Sequence, residues 1–337
     1  MSNNLIPSQG EAGRLSPRIS PPRPRLWRAG AGLRRFGRRL ASSLLAVFVV
    51  MSTVFLVTRL ISNPAQRMLP LGASQAQIDA LNAKLGLSEP LLVQYGRFLA
   101  DLVTLNLGES LWYHQPALLV ALSRLPSTLA VLALALAISI AIFVPLGILA
   151  SLKPSSSIDR LVTGVSLAGL SVPEFWLGAM LVLAFAVDLN WLPTSGAGGF
   201  AHLVLPAVTL SLSLGGRLAQ VTRTAFLDQG RLPYVAMARA KGFSQLYILR
   251  KHVLRNALLP ILTLLSWDCA RIITGSAVVV EVLFARAGFG RLIIESVQRQ
   301  DFTTIQACVF IGAIVIVVVN LLTDLLAGLV EPRRANA

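Results

Sequence analysis

The chain is short of charge, histidine and cysteine, and each shortage closes off a class of function. Only 13% of its residues are charged, about half the roughly 25% of an ordinary soluble domain. The three histidines, His114, His202 and His252, are far apart. No HExxH, no GxSxG and no cluster of His, Asp and Glu occurs, so an enzyme reading has no chemical centre. GxxxxGK[ST] is also missing, so the chain offers no phosphate-cradling loop for ATP. The two cysteines, Cys269 and Cys308, lie in apolar runs without CxxC spacing. That suits small apolar packing rather than a disulfide or a metal site. The expectation is a chain with no catalytic residue, no metal and no cofactor of its own.

What the chain has in excess is apolar surface. Hydrophobic residues make up 55% of it, with a mean hydropathy of +0.70. A bilayer core takes about 20 apolar residues in a helix. Suitable runs are Leu40–Ile61, Ser127–Ala150, Leu161–Val187, Leu203–Phe226, Leu258–Phe284 and Ala307–Val330. The fold class expected is therefore all-α: a polytopic membrane protein with six transmembrane helices and a small helical external segment after the first. Arg217 and Arg223 enter the second half of the fourth run, which predicts a helix that continues beyond the membrane.

The net charge of +15 raises nucleic acid as a partner, but its distribution argues against that. Nine arginines lie in residues 1–40, and eight basic residues lie from Arg217 to Arg255. Basic patches separated by long apolar runs report membrane topology. Six spans put both termini on one side. The segments on that side hold 21 Lys and Arg, and the opposite loops hold 7. Both termini are thus expected in the cytoplasm. The division expected is a basic disordered arm over residues 1–39, a first span over 40–61, an external helical loop over 62–126 and a core over 127–337. A cytoplasmic loop occupies 227–258. Within the external loop, Ser74–Leu85 and Leu91–Leu105 read as helices.

Tyr234–Pro260 is the most informative stretch. Ala236, Ala238 and Ala240 are small and favour helix. Gly242 permits a left-handed turn. Leu246, Leu249, Val253 and Leu254 then recur at helical spacing, and Pro260 is expected to open the next span. Two short helices joined at a glycine can form a rigid knob for another protein. By spacing alone, the stretch suits a basic amphipathic loop on the membrane surface equally well.

Tyr234-Val235, Ala238-Arg239-Ala240-Lys241-Gly242 and Arg255-Asn256-Ala257-Leu258-Leu259-Pro260 resemble the EAA loop of ABC-importer permeases. The form is that of the dipeptide/oligopeptide/nickel group, in which Ala236 replaces the general glutamate and the proline is delayed to Pro260. Leu170–Pro173 with Phe175–Gly178, Leu205–Ala207, and Val278–Glu281 with Gly288–Gly290 are similar to further motifs of that group. Ala287 and Thr303 stand where it usually has proline. The resemblance implies a bacterial inner-membrane subunit paired with a second homologous permease, usually as a heterodimer. It also implies two ATPase subunits, which bind ATP and Mg, and a periplasmic or lipid-anchored solute-binding protein. It carries the ATPase-coupling role to Ala236, Ala238, Arg239, Ala240, Lys241 and Gly242. Peptides, nickel or other metal chelates, and opines are all compatible cargoes. An ion-coupled secondary transporter is the alternative from another class.

Four charged residues within the apolar runs are candidates for a translocation path. Asp268 and Arg271, three apart on one helix face, can form a local ion pair or meet a charged solute. Glu174 follows Pro173 and can line a path or bond the backbone that the proline frees. Glu281 sits near the outer end of the fifth span, as a gate or structural residue. Asn320 and Asp324 share a face of the sixth, suited to hydrogen bonding between helices within the dimer.

Overall fold

The computed structural model describes residues 25–61, 74–84 and 86–330. Residues 1–24 of the expected arm, the start of the external loop and the tail 331–337 lie outside them. Among the described residues the chain is helical without strands, apart from one isolated bridge between Glu109 and Pro116.

The first helix, α1 (Arg25–Ile61), begins well before the expected span, so the end of the expected arm is helical. Two short helices follow, α2 (Gln75–Lys84) and α3 (Leu91–Val103). Next come α4 (Ala117–Leu152), α5 (Ser157–Ser171) and α6 (Glu174–Leu181), the last prolonged by a π-helical turn over Val182–Asp188. α7 covers Ala201–Gly230 and α8 Pro233–Ala240. A run of 39 helical residues, Gln245–Leu283, contains α9 (Gln245–Ile248), α10 (Leu254–Arg271) and α11 (Ala277–Leu283), joined by π-helical stretches. Two helices close the chain, α12 (Phe289–Gln298) and α13 (Phe302–Val330).

Five of these helical runs are long and apolar enough to cross a membrane, and the bent pair α5–α6 makes a sixth. Three boundaries differ from expectation. α4 starts ten residues before the expected second span, inside the segment read as external. Pro260 lies within α10 instead of opening a span, because helix is already established from Gln245. The third span is not a straight rod: its halves meet at 101°. Val172 (φ −83°, ψ 125°) and Pro173 (φ −61°, ψ 135°) are both extended, since proline opposes helix in the residue before it and withholds an amide hydrogen.

α7 is the centre of the bundle. Some 61% of its most apolar stretch is buried, against 17–39% in the other four long runs. Small residues let its neighbours approach closely, as in other membrane bundles. A Cβ on Gly147 of α4 would meet the Ala219 carbonyl oxygen at 2.6 Å, and one on Gly216 would meet that of Ser166 in α5 at 2.6 Å. Around this axis lie three apolar clusters. The largest joins α4, α7, α11, α12 and α13. A second ties α8 and the start of the 39-residue run to the end of α7, through Val235, Ala238, Ile248 and Val253 against Leu218, Ala219 and Phe226. A third packs Met51 and Phe55 of α1 on Phe98 of α3.

Candidate functional site

Tyr234–Pro260 contains two helical segments joined at Gly242, as its spacing predicts. α8 opens with Pro233 at its first turn, where the missing amide hydrogen costs nothing. Val235 and Ala238 point into the bundle and anchor the helix, while Ala236, Arg239, Ala240, Lys241 and Gly242 are exposed. Gly242 has φ +79°, and its N–H donates to the Arg239 carbonyl at 2.9 Å. Nothing lies within 4 Å of a Cβ built there. Conformation, not space, is what asks for glycine. Ser244 then caps α9, accepting from the Tyr247 N–H. Asn256 donates to the Tyr234 hydroxyl, which donates to Gln229 at 2.8 Å, so the knob is braced from both sides. Around it Met237, Phe243, Leu246 and Tyr247 are exposed, and Phe243 stacks on Tyr247 with ring centres 4.9 Å apart.

Inside the bundle, Glu174, Asp268 and Arg271 come together, and the isolated ion pair is corrected to a network across three elements. Arg271 Nε does reach Asp268 Oδ1, at 3.2 Å. The same oxygen, however, accepts more closely from Arg217 of α7, at 2.7 Å. Arg271 Nη1 donates to Glu174 Oε1 at 2.9 Å and to Ser276 Oγ at 2.7 Å. Ser213 Oγ also donates to Glu174 Oε1, at 2.8 Å. Glu174 thus binds side chains of α7 and the 39-residue run, not the backbone freed at Pro173. Two carboxylates and two guanidinium groups balance in charge, as the cost of burying ions requires. Arg217 was visible in the sequence only as a flaw in the fourth apolar run; its partner 51 residues away was not.

Glu281 stands apart from that network. It is 2% exposed and accepts from the Thr128 hydroxyl of α4 and from the Arg291 N–H at 2.9 Å. The Phe289 N–H donates to the Thr128 hydroxyl oxygen at 2.8 Å. These bonds make Glu281 a clasp on the start of α12. Nearby Arg286 is buried, with Nε and Nη1 unpaired among the described residues. Burial pulls its pKa below the ordinary value, against the opposing pull of Glu281. Three further links were not expected. Asp159 at the start of α5 is bonded by Arg223 of α7, with one contact at 2.7 Å. Arg39 pairs with Asp324 of α13, and Arg255 Nε donates to the Val330 carbonyl at 2.7 Å. Asn320 accepts from Ser266 of α10 at 2.9 Å, a bond within this chain, whereas the bonding expected of it was within the dimer.

The chain thus has up to six candidate spans, compensated charges between its helices and an exposed turn ended by a glycine. The chain belongs to the family of binding-protein-dependent transport system inner membrane components, which matches residues 143–336. It is a permease subunit of an ABC importer. It is 36% identical over 282 residues to the oligopeptide transport system permease protein AppB of Bacillus subtilis, covering 80% of this chain and 89% of the relative. A protein of Brucella abortus named provisionally as a peptide transport system permease is 33% identical over 305 residues, 88% of this chain and 97% of the relative. Among solved structures, an inward-facing form of the MetNI methionine ABC transporter superposes with a TM-score of 0.52 at 17% identity. That match covers 63% of this chain and 96% of the other, and it supports the fold.

Proposed function

We propose that the chain carries peptides, or solutes of peptide-like chemistry, across the bacterial inner membrane as one of two permease subunits. Separate ATPase subunits, which hold ATP and Mg, grip the α8–Gly242 knob. A solute-binding protein delivers cargo to the opposite face. The chain itself does no chemistry, and a homologous sister permease completes the pore. Both termini lie in the cytoplasm, in keeping with the excess of Lys and Arg on that side. The observation that carries this reading is the knob: small exposed residues on a helix that Val235 and Ala238 anchor to the core, ended by a glycine at φ +79°. The names of the relatives, oligopeptide and peptide transport permeases, support the cargo class.

Ala240→Trp tests it. The site is exposed, so the bulky side chain leaves the bundle intact while obstructing a partner's groove. Expected is at least a tenfold loss of ATP-driven peptide uptake, equivalent to about 1.4 kcal/mol of docking, and loss of ATPase subunits on purification. Uptake at the normal rate, or uptake by the chain without ATPase subunits, would overturn the mechanism.

A further inference from the structure

The charge network contains polar atoms that no described residue satisfies. Asp268 is fully buried; its Oδ1 receives both arginines, while its Oδ2 is unpaired. Arg217 Nε and Arg271 Nη2 are also buried without partners. Yet the network is not sealed. The side chains of Arg217 and Arg271 are each 25% exposed and that of Glu174 is 16% exposed. Arg217 lies over the ring of Trp267 at 5.2 Å, and Trp267 is itself 57% exposed.

Depth matters next. Arg217 is sixteen residues from the start of α7 at Ala201, and Asp268 is fifteen from the end of α11 at Leu283. At 1.5 Å per residue these are roughly 24 and 22 Å, so both helices put the network at one level, inside a hydrocarbon core of about 30 Å. Ionised groups that are partly open and incompletely bonded at this depth do not face lipid; water or the polar groups of a partner subunit must meet them.

We infer that Glu174, Arg217 and Arg271 line the solute path, with the buried Asp268 holding both arginines in place, and form a subsite for a zwitterionic solute. The open parts of the Arg217 and Arg271 side chains take the solute's carboxylate, and the partly open Glu174 takes its ammonium. Bidentate arginine contacts suit the first role. Trp267 gives the opening an aromatic wall that can stack on a cation or a peptide group. The choice of solute rests on the peptide reading above, but the placement on the path does not.

The experiment uses the whole transporter in membrane vesicles, with Cys269 and Cys308 replaced by alanine. Ser213→Cys, beside Glu174, is treated with a cationic, membrane-impermeant methanethiosulfonate, and Trp267→Cys serves as an independent second site. Leu322→Cys, on an exposed apolar face of α13, is the lipid-facing control. Modification at least tenfold faster than the control, in one nucleotide state or both, supports the path. If both cysteines are as unreactive as the control with and without ATP, the network is a dry subunit interface and the inference fails. Uptake of trialanine is then compared with that of its N-acetylated, C-amidated form. In the Arg217→Gln, Asp268→Asn double variant the preference for the zwitterion should fall about tenfold, the loss of one charge-assisted contact. An unchanged preference overturns the subsite. Reactive cysteines in a transporter that carries neither peptide would support the path and overturn the peptide reading.

Discussion

Glu281 and Glu174 are both carboxylates in apolar runs, and their surroundings give them different work. Glu281 is enclosed, and its contacts are a hydroxyl and a backbone N–H. The N-terminus of α12 has no side-chain cap of its own at Gly288. Glu281 and Thr128 supply acceptors there from two other helices, where the first amides of a helix lack partners. Thr128→Val keeps the shape but leaves the Phe289 N–H and one Glu281 oxygen unsatisfied. The expected cost is about 1–3 kcal/mol of stability, read as a lower Tm of the purified transporter. Glu281→Gln, which keeps an acceptor oxygen for the Arg291 N–H, should lose less. Glu174 by contrast is partly open and shares its partner Arg271 with Asp268. A single-residue reading could name both as polar groups in lipid. It could not tell clasp from path, because the difference lies in residues 97 and 153 positions away.

At the scale of elements, the apolar runs were enough to place the long helices, since a span needs little beyond length and hydropathy. Interruptions of helix were harder to read. Pro126, Pro145, Pro206 and Pro260 all sit within continuous helices, whereas Pro173 coincides with the 101° bend. The sequence around Pro173 marks only a backbone group that the proline frees. The 101° bend goes with Glu174, the first residue past the break, being held by Arg271 and Ser213, and no local pattern encodes those partners. Close packing around α7 was hidden in the same way, because a glycine in a helix is marked only by its lower helix propensity. Gly216→Val puts side-chain carbon where the Ser166 carbonyl oxygen stands. Backbone on both sides cannot yield as a flexible side chain would, so α5 must move away from α7. Overpacking of this kind costs roughly 1–3 kcal/mol, occasionally more. The expected result is a poorly folding subunit, measured as a fall of the monodisperse peak in detergent, while Gly164→Val, with open space around it, leaves that peak unchanged.

For the whole molecule, the knob and the charge network belong to one mechanical unit. The helical run that starts at Gln245, three residues beyond Gly242, continues to Leu283, roughly 58 Å at 1.5 Å per residue. Asp268 and Arg271 sit within it. Arg255 ties its base to the end of α13, and Asp159 ties the start of α5 to α7 through Arg223. Under the proposed mechanism, displacement of the knob moves the run as a lever, and the network at its middle meets α6 and α7. Subunits that rock between two arrangements are the usual way such levers act. Two-state coupling of this sort demands that both ends bias the same equilibrium. In the intact transporter, Ser213→Cys should be modified at clearly different rates with and without ATP, because closure of the ATPases reshapes the path. With Ala240→Trp added, the knob loses its grip and the two rates should converge on the nucleotide-free value. A persistent difference in the double variant would mean that the ATPases reach the network by a route other than Gly242 and its helix.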